Sequence, residues 1–369
     1  MATVAIASFI VIVAVAISGG FRKELREGIA SICGDIRITS SDLDYVAADS
    51  PLSISLHTLD SVSAFHGIRK VVPAVYRAGI VKSGDNIDGV VFKGIPGGGD
   101  SLAVSIPSTL ADMLSLSVGD KLLSYFISGE RVQARTFRVA SVYEDLMGGK
   151  DRMIVYAGIG DMRRLNGWKE GESSAIELVV DDKMRSTDKL DELTSEVGAL
   201  LLEGRGDDGD ALVASSSINM YPEIFSWLEL IDFNVLFILV LMTVVAGFNM
   251  ISALLIILFR NIQVIGILKS MGMKDRPIVG IFLRVGAAAV LKGMLVGNLL
   301  AFAFCLIQDK THLIRLDPDN YFVSFVPVSV NPLYAIGADL ICAAVIIALM
   351  LLPCLFVSGV DPAKTVRSQ

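Results

Sequence analysis

The chain has 369 residues, 53% of them hydrophobic, and a formal charge of −7; its mean hydropathy is +0.62. From Gly20 to Leu230 there are 22 Lys and Arg against 32 Asp and Glu, and an acidic middle argues against nucleic acid, which needs a basic face. Cys33 is the one cysteine outside the apolar runs, so neither a disulfide framework nor metal-ligand spacing is available.

Four apolar segments are long enough to cross a bilayer, whose hydrocarbon takes about 20 helical residues. They are Ala2–Ser18, Phe233–Phe259, Pro277–Ile307 and Leu333–Val357. The first is uncharged and short. "AVA" at Ala14–Ala16 has the look of a signal-peptidase site, but no basic residue precedes it and the apolar pattern does not stop there. It reads as an uncleaved span. Phe21, Leu25 and Ile29 recur at i, i+4, i+8, so the helix is expected to continue as an amphipathic stalk.

The middle of the chain alternates. "DIRITS", "GVVFKGI", "KLLSYFI", "RTFRVASVY", "RMIVYAGI" and "AIELVVDD" have near period 2 and β-branched or aromatic residues, and read as strands. "SIPSTLADMLSLSVGDK" reads as a helix with Leu110, Met113 and Leu114 on one face, followed by a turn. "TDKLDELTSEVGALLLEG" reads as a second helix, ended by Gly204. An α+β domain is expected.

No catalytic constellation is visible there. "GIPGGGDS" (Gly94–Ser101) has Asp100–Ser101 where a phosphate loop has Lys and Ser or Thr, and in "LMGGKD" Asp151 follows Lys150. Both read as turns. "GESSA" (Gly171–Ala175) fails at the last position of the nucleophile motif. The chain is expected to be a non-catalytic membrane protein with no cofactor, no metal and no means of hydrolysing ATP.

The loop "LFRNIQVIGILKSMGMKDRP" (Leu258–Pro277) carries Arg260, Lys269, Lys274 and Arg276 against Asp275. Loop 308–332 has two basic residues and three acids. The first loop and the C-terminal tail are therefore expected in the cytoplasm, and residues 20–230 outside. Arg22, Lys23 and Arg26, just beyond span one, run against that rule. Within the loop, Val264, Ile267, Leu268 and Met271 fall at i, i+3, i+4, i+7, and Gly272 is placed to end the helix. By pattern alone such a helix lies on lipid or fills a partner's groove.

Lys292 sits about 15 residues from either end of its span, roughly 22 Å of helix, where a charge is costly. Asp339 is a candidate partner, provided the two spans are offset. A snorkelling Lys stem is the other reading. Gly293 and Gly297 form an i, i+4 pair that permits close helix packing.

"LFILVLMTVVAGFNMISALLIILFRNIQVIGILKSMGM" (Leu236–Met273) closely resembles the second-span region of FtsX-like ABC transporter permeases. "SGGFRKELREGI" (Ser18–Ile29), "VVPAVYRAGIVKSGDNIDGVVFKGI", "LSVGDKL" and "VDPAKTVR" (Val360–Arg367) are similar to other parts of that family. Within it, the chain is most similar to permeases of the lipoprotein-releasing (Lol) system.

The resemblance implies an integral membrane fold: four transmembrane helices with an α+β periplasmic domain inserted between helices 1 and 2. The expected divisions are helix 1 and stalk at 1–30, the periplasmic domain at 31–228, helix 2 at 229–259, a cytoplasmic coupling helix at 260–276, helix 3 at 277–307, a periplasmic loop at 308–332, helix 4 at 333–357, and a cytoplasmic tail at 358–369. It also implies a second permease chain, cytoplasmic ABC ATPase subunits, lipoprotein cargo and a periplasmic carrier, all at the cell inner membrane. Val264, Ile267, Leu268, Lys269, Met271 and Gly272 would then couple to the ATPase.

Two departures from the family stand out. The cytoplasmic lead-in before span one is absent, and the "ISGERVQAR" counterpart (Ile127–Arg135) of the carrier-docking loop is barely longer than a hairpin turn. Two other functions stay open: mechanical drive of an efflux partner or a cell-wall hydrolase by the same family, and a membrane-anchored sensor or scaffold.

Overall fold

The computed structural model describes all residues except 41–50, 53, 55, 85, 98–100, 129–130, 145–152, 204–210 and 355–369. "LMGGKD", Gly98–Asp100 of the glycine-rich turn, Gly129 and Glu130 of the short hairpin, the helix-ending Gly204 and the "VDPAKTVR" tail lie outside the described residues.

In chain order the elements begin with α1 (Ala2–Cys33), β1 (Ile36–Ser40), α2 (Leu56–Ser63), β2 (Ile68–Ser83), β3 (Asn86–Ile95) and β4 (Ala103–Pro107). Next come α3 (Ser108–Leu114), β5 (Lys121–Ser128), β6 (Arg131–Tyr143), β7 (Ile154–Gly158), α4 (Ile159–Asn166) and β8 (Ala175–Val180). Then follow α5 (Thr187–Glu203), β9 (Leu212–Ser216), α6 (Ser217–Met220), α7 (Pro222–Arg260), α8 (Ile262–Ser270) and α9 (Asp275–Thr311). The described chain ends with α10 (Pro318–Tyr321), α11 (Pro332–Leu349) and α12 (Leu351–Cys354). It divides into two units: Leu25–Phe225 with Leu316–Ser324, and Met1–Glu24 with Ser226–Arg315 and Phe325–Gln369.

In the first unit β2 is 16 residues long and serves two sheets. Its second half pairs with β3 and β5. The ring then closes through β5–β6, β6–β4, β4–β7 and β7–β3. The result is a six-stranded barrel. Strand residues alternate across it, so Val75, Val81, Val90, Phe92, Leu122, Phe126, Phe137 and Val139 fill the inside. Phe92 lies 4.9 Å from Phe126 and 5.2 Å from Phe137 between ring centroids. Gly79 makes this possible, since a Cβ there would press on both Phe126 and Phe92. Helices α3 and α4 add Leu110, Ala111, Leu114, Met162 and Leu165 to the same core. Met113, expected on the inner face of α3, is 46% exposed; Ala111 takes its place, turning the buried face by part of a turn.

The first half of β2 pairs with β8, β8 with β1, and β1 with β9. Ile36, Ile38, Ile176, Leu178 and Val180 face Leu190, Leu193, Val197 and Leu201 of α5. β2 was not among the strands expected from sequence, because Pro73 interrupts its pattern. Pro73 is tolerated because this half of β2 pairs on one side only.

In the other unit, four helices have the length and apolar composition to span a membrane: α1, α7, α9 and the α11–α12 segment. α1 is one helix of 32 residues. α7 starts eleven residues before Phe233 and runs for 39. α11 stops at Leu349, four residues before Pro353, whose ring cannot follow a helical carbonyl at that spacing. Glycines let the helices approach closely. A Cβ at Gly293 would press on Val4, one at Gly297 on the backbone oxygen of Ala5, and one at Gly20 on the backbone of Pro327. Near the start of α7, Asp232 accepts from Ser18 Oγ at 2.6 Å and pairs with Arg22.

Candidate functional site

α8 is short and follows α7 after one residue, Asn261. The side-chain amide of Asn261 turns back to Ile257 O at 2.8 Å rather than capping α8. The C-terminus is fully closed. Gly272 has φ +87°, its N–H donates to Lys269 O at 2.9 Å, and the Met273 N–H donates to Leu268 O at 3.0 Å. This paired closure needs a residue in the left-handed region, which glycine enters at no steric cost.

The apolar residues of α8 fall on two faces, not one. Ile265 is buried among Leu258, Ile278 and other apolar residues, and Leu268 packs against the same cluster. Val264, Ile267 and Met271 are 53%, 52% and 79% exposed. The sequence pattern put Leu268 with the open face and missed Ile265 as the anchor. Apolar residues on both sides of a nine-residue helix give the periodicity little to discriminate.

Lys269 lies on the anchored side. Its Nζ is 2.9 Å from Asp275 Oδ1, and its side chain is only 11% exposed. Asp275 is the first residue of α9, so its carboxylate also sits at the positive end of that helix. Lys269 thus pairs within its own unit, while Val264, Ile267 and Met271 stay exposed. Arg260, Lys274 and Arg276 are exposed.

The two intramembrane charged residues are not brought together. Asp339 of α11 accepts from Asn298 Nδ2 of α9. Ser8 Oγ of α1 donates to Asn298 Oδ1 at 2.6 Å and lies 3.4 Å from Asp339 Oδ1. Lys292 is exposed, next to the buried stripe of Gly286, Val290, Gly293, Met294 and Gly297 and not on it. Among the described residues it has no hydrogen bond or ion pair. Sequence reading looked for a charge to match Asp339. The structure supplies neutral amide and hydroxyl donors, which a Ser in the middle of span one and a lone Asn in span three could have signalled. A narrow crevice lined by Val4, Ala7, Val11, Thr243, Met294 and Cys342 adjoins this group.

Residues 236–362 match the family model described as FtsX-like permease C-terminal. This stretch covers α8, most of α7, the other two span-length helices that follow it and the Asn298–Asp339 pair. Over those residues the chain is similar to FtsX-like permeases. Four of its helices have the length and apolar composition to cross a membrane.

Two solved structures are similar at low identity. One is the extracellular domain of the noncanonic ABC-type transporter YknZ from Gram-positive bacteria, with 14% identity and a TM-score of 0.32, covering 49% of this chain and 99% of that one. The other is the periplasmic region of MacB from Actinobacillus actinomycetemcomitans, with 15% identity and a TM-score of 0.34, covering 55% and 96%. The functional reading rests on the permease match and on the residues described above.

Proposed function

We propose that the chain is the permease subunit of an ABC transporter that uses ATP hydrolysis by a separate cytoplasmic subunit to release lipoproteins from the inner membrane toward a periplasmic carrier. One observation carries the reading. In the FtsX-like region, α8 holds Ile265, Leu268 and Lys269 against its own unit and leaves Val264, Ile267 and Met271 open. An anchored helix with an open apolar face fits a groove on a partner subunit. The chain itself would not hydrolyse ATP. A second permease chain, identical or not, would complete the assembly. The cargo assignment rests on the sequence resemblance. Each acyl methylene leaving the bilayer costs about 0.8 kcal/mol, so extraction needs an external energy source.

A second reading keeps the partner ATPase and changes the output: mechanical drive of an efflux partner or a wall hydrolase. The single uninterrupted helix α1, running from an apolar span to the start of β1, favours it. Reconstitution with the cognate ATPase separates the two. The first reading expects ATP-dependent release of a lipidated protein and none of its unlipidated form. Release indifferent to the lipid would overturn it and leave the second.

A further inference from the structure

The unit containing the barrel holds a buried ionic cluster that the reading above does not use. Lys93 of β3 is 1% exposed, Tyr76 of β2 3% and Glu177 of β8 5%. Lys93 Nζ lies 2.8 Å from each carboxylate oxygen of Glu177. It also donates to Ile32 O at 2.7 Å and is 3.5 Å from Ser31 O. Tyr76 OH donates to Glu177 Oε1 and lies 3.3 Å from Ile32 O. Burial, then the neighbouring Glu177 charge, raises the Tyr76 pKa well above its ordinary value, so the phenol stays a donor.

Ser31 and Ile32 belong to the last turn of α1. The final carbonyls of a helix have no partner within it, and a cation there meets the negative end of the dipole. Here the cation comes from a strand 60 residues away in sequence, and its counterion comes from a third strand. The link from α1 to β1 has no slack. Gly34, at φ +73°, is packed against Glu177 Cβ, where a side chain would clash. The Asp35 N–H then donates to Leu178 O at 2.9 Å. The Asp35 carboxylate takes the Val180 N–H at 2.9 Å and Arg185 Nε at 3.0 Å.

A buried ion pair is a poor source of net stability, because apolar residues of similar volume often fold as well or better. What this cluster supplies is direction: three strands of two sheets grip two named carbonyls. We infer that Lys93 and Glu177 are positioning residues that lock the last turn of α1 onto the sheets, so that a displacement of α1 moves the domain instead of being lost in a flexible joint. The inference rests on the reading of the chain as a permease driven by an ATPase.

The test uses the full chain in nanodiscs with its ATPase. Spin labels are placed at Glu27 on α1 and Asp112 on α3, both exposed, and the four native cysteines are buried. The unsubstituted chain should give one narrow label-to-label distance. Lys93→Met with Glu177→Leu should lose that narrow distance at an unchanged unfolding midpoint. ATP hydrolysis should continue while ATP-driven output is lost. A narrow distance in the folded double variant overturns the inference, as does output that stays coupled to hydrolysis. Should the double variant not fold, Glu177→Gln keeps the shape and one acceptor oxygen while removing the charge and the second acceptor facing Lys93, and the same two outcomes decide. Failure of the permease reading shows separately, as an unsubstituted chain that neither binds the ATPase nor yields any ATP-driven output.

Discussion

Lys269 Nζ lies 2.9 Å from Asp275 Oδ1 and so joins the last turn of α8 to the first residue of α9. The pair closes the turn through Gly272 from the side away from Val264, Ile267 and Met271. Its energy is modest. Asp275 is 43% exposed, and pairs of this kind contribute about 0–1 kcal/mol, less at high salt. Lys269→Ala should therefore lower ATPase co-purification only slightly, with a larger effect at low salt. Lys269→Asp with Asp275→Lys should restore part of the loss, limited by a cation at the start of α9. A large, salt-independent loss from Lys269→Ala would mean that Lys269 meets the partner directly.

Close helix packing predicts a contrast among glycines. Gly297 and Gly20 face backbone atoms that a Cβ would strike, whereas Gly280 and Gly337 have nothing within 4 Å. Gly297→Ala and Gly20→Ala should each destabilise the chain in detergent by about 1–3 kcal/mol. Gly280→Ala and Gly337→Ala should stay within about 0.5 kcal/mol of the parent. Equal effects in all four, measured by thermal unfolding, would contradict the packing described for α1 and α9.

Asp339 gives a chemical contrast. Asp339→Asn retains an acceptor for the Asn298 amide. Asp339→Leu removes the acceptor of the Asn298 amide in an apolar surrounding, while Ser8 keeps Asn298 Oδ1. The expected losses are small for Asn and about 1–3 kcal/mol for Leu. Lys292→Leu should be neutral or stabilising in the same assay, since that side chain has no partner among the described residues.

The Asp35 carboxyl has a raised pKa because burial outweighs the Val180 N–H and Arg185. The folded chain thus holds this proton to higher pH than the unfolded chain. Its contribution to stability is full below the ordinary carboxylate range near ~4 and is lost as pH rises through the raised native value. The stability of the parent relative to Asp35→Asn should fall as pH rises across that window. Relative stability that grows with pH would show that Arg185 holds the charged form more strongly than burial opposes it.

Much of the fold can be read from residue patterns, and the gaps have physical causes. β1 and β7 alternate because one face of each is buried, whereas β8 and the second half of β3 are buried on both faces and were recognised from their β-branched and aromatic residues. β2 was hidden by Pro73 and by the change of partner midway along it. β9 and β4 were also missed, although β1 and β7, of the same five-residue length, were recognised. The stretch holding α8 was visible from charge and glycine placement, but which face is open was not, because burial of Ile265 depends on how the flanking helices α7 and α9 pack on it. Charged residues drew attention to Lys292 and Asp339. Only the fold could reveal that Ser8 and Asn298 are the partners of Asp339. The same holds for Lys93 and Glu177, each isolated in an apolar strand and meaningful only once β3, β8 and the end of α1 converge.

The account depends most on the open face of α8. Ile267→Asp with Met271→Asp places two charges on that face and leaves Ile265, Leu268 and the Lys269–Asp275 pair intact. The measurement is co-purification of the cognate ATPase with the full chain, together with stimulation of its ATP hydrolysis. Both should be lost in the double variant while membrane insertion and unfolding midpoint stay unchanged. Retained association and stimulation in a normally folded variant would contradict the assignment of α8 as the coupling helix.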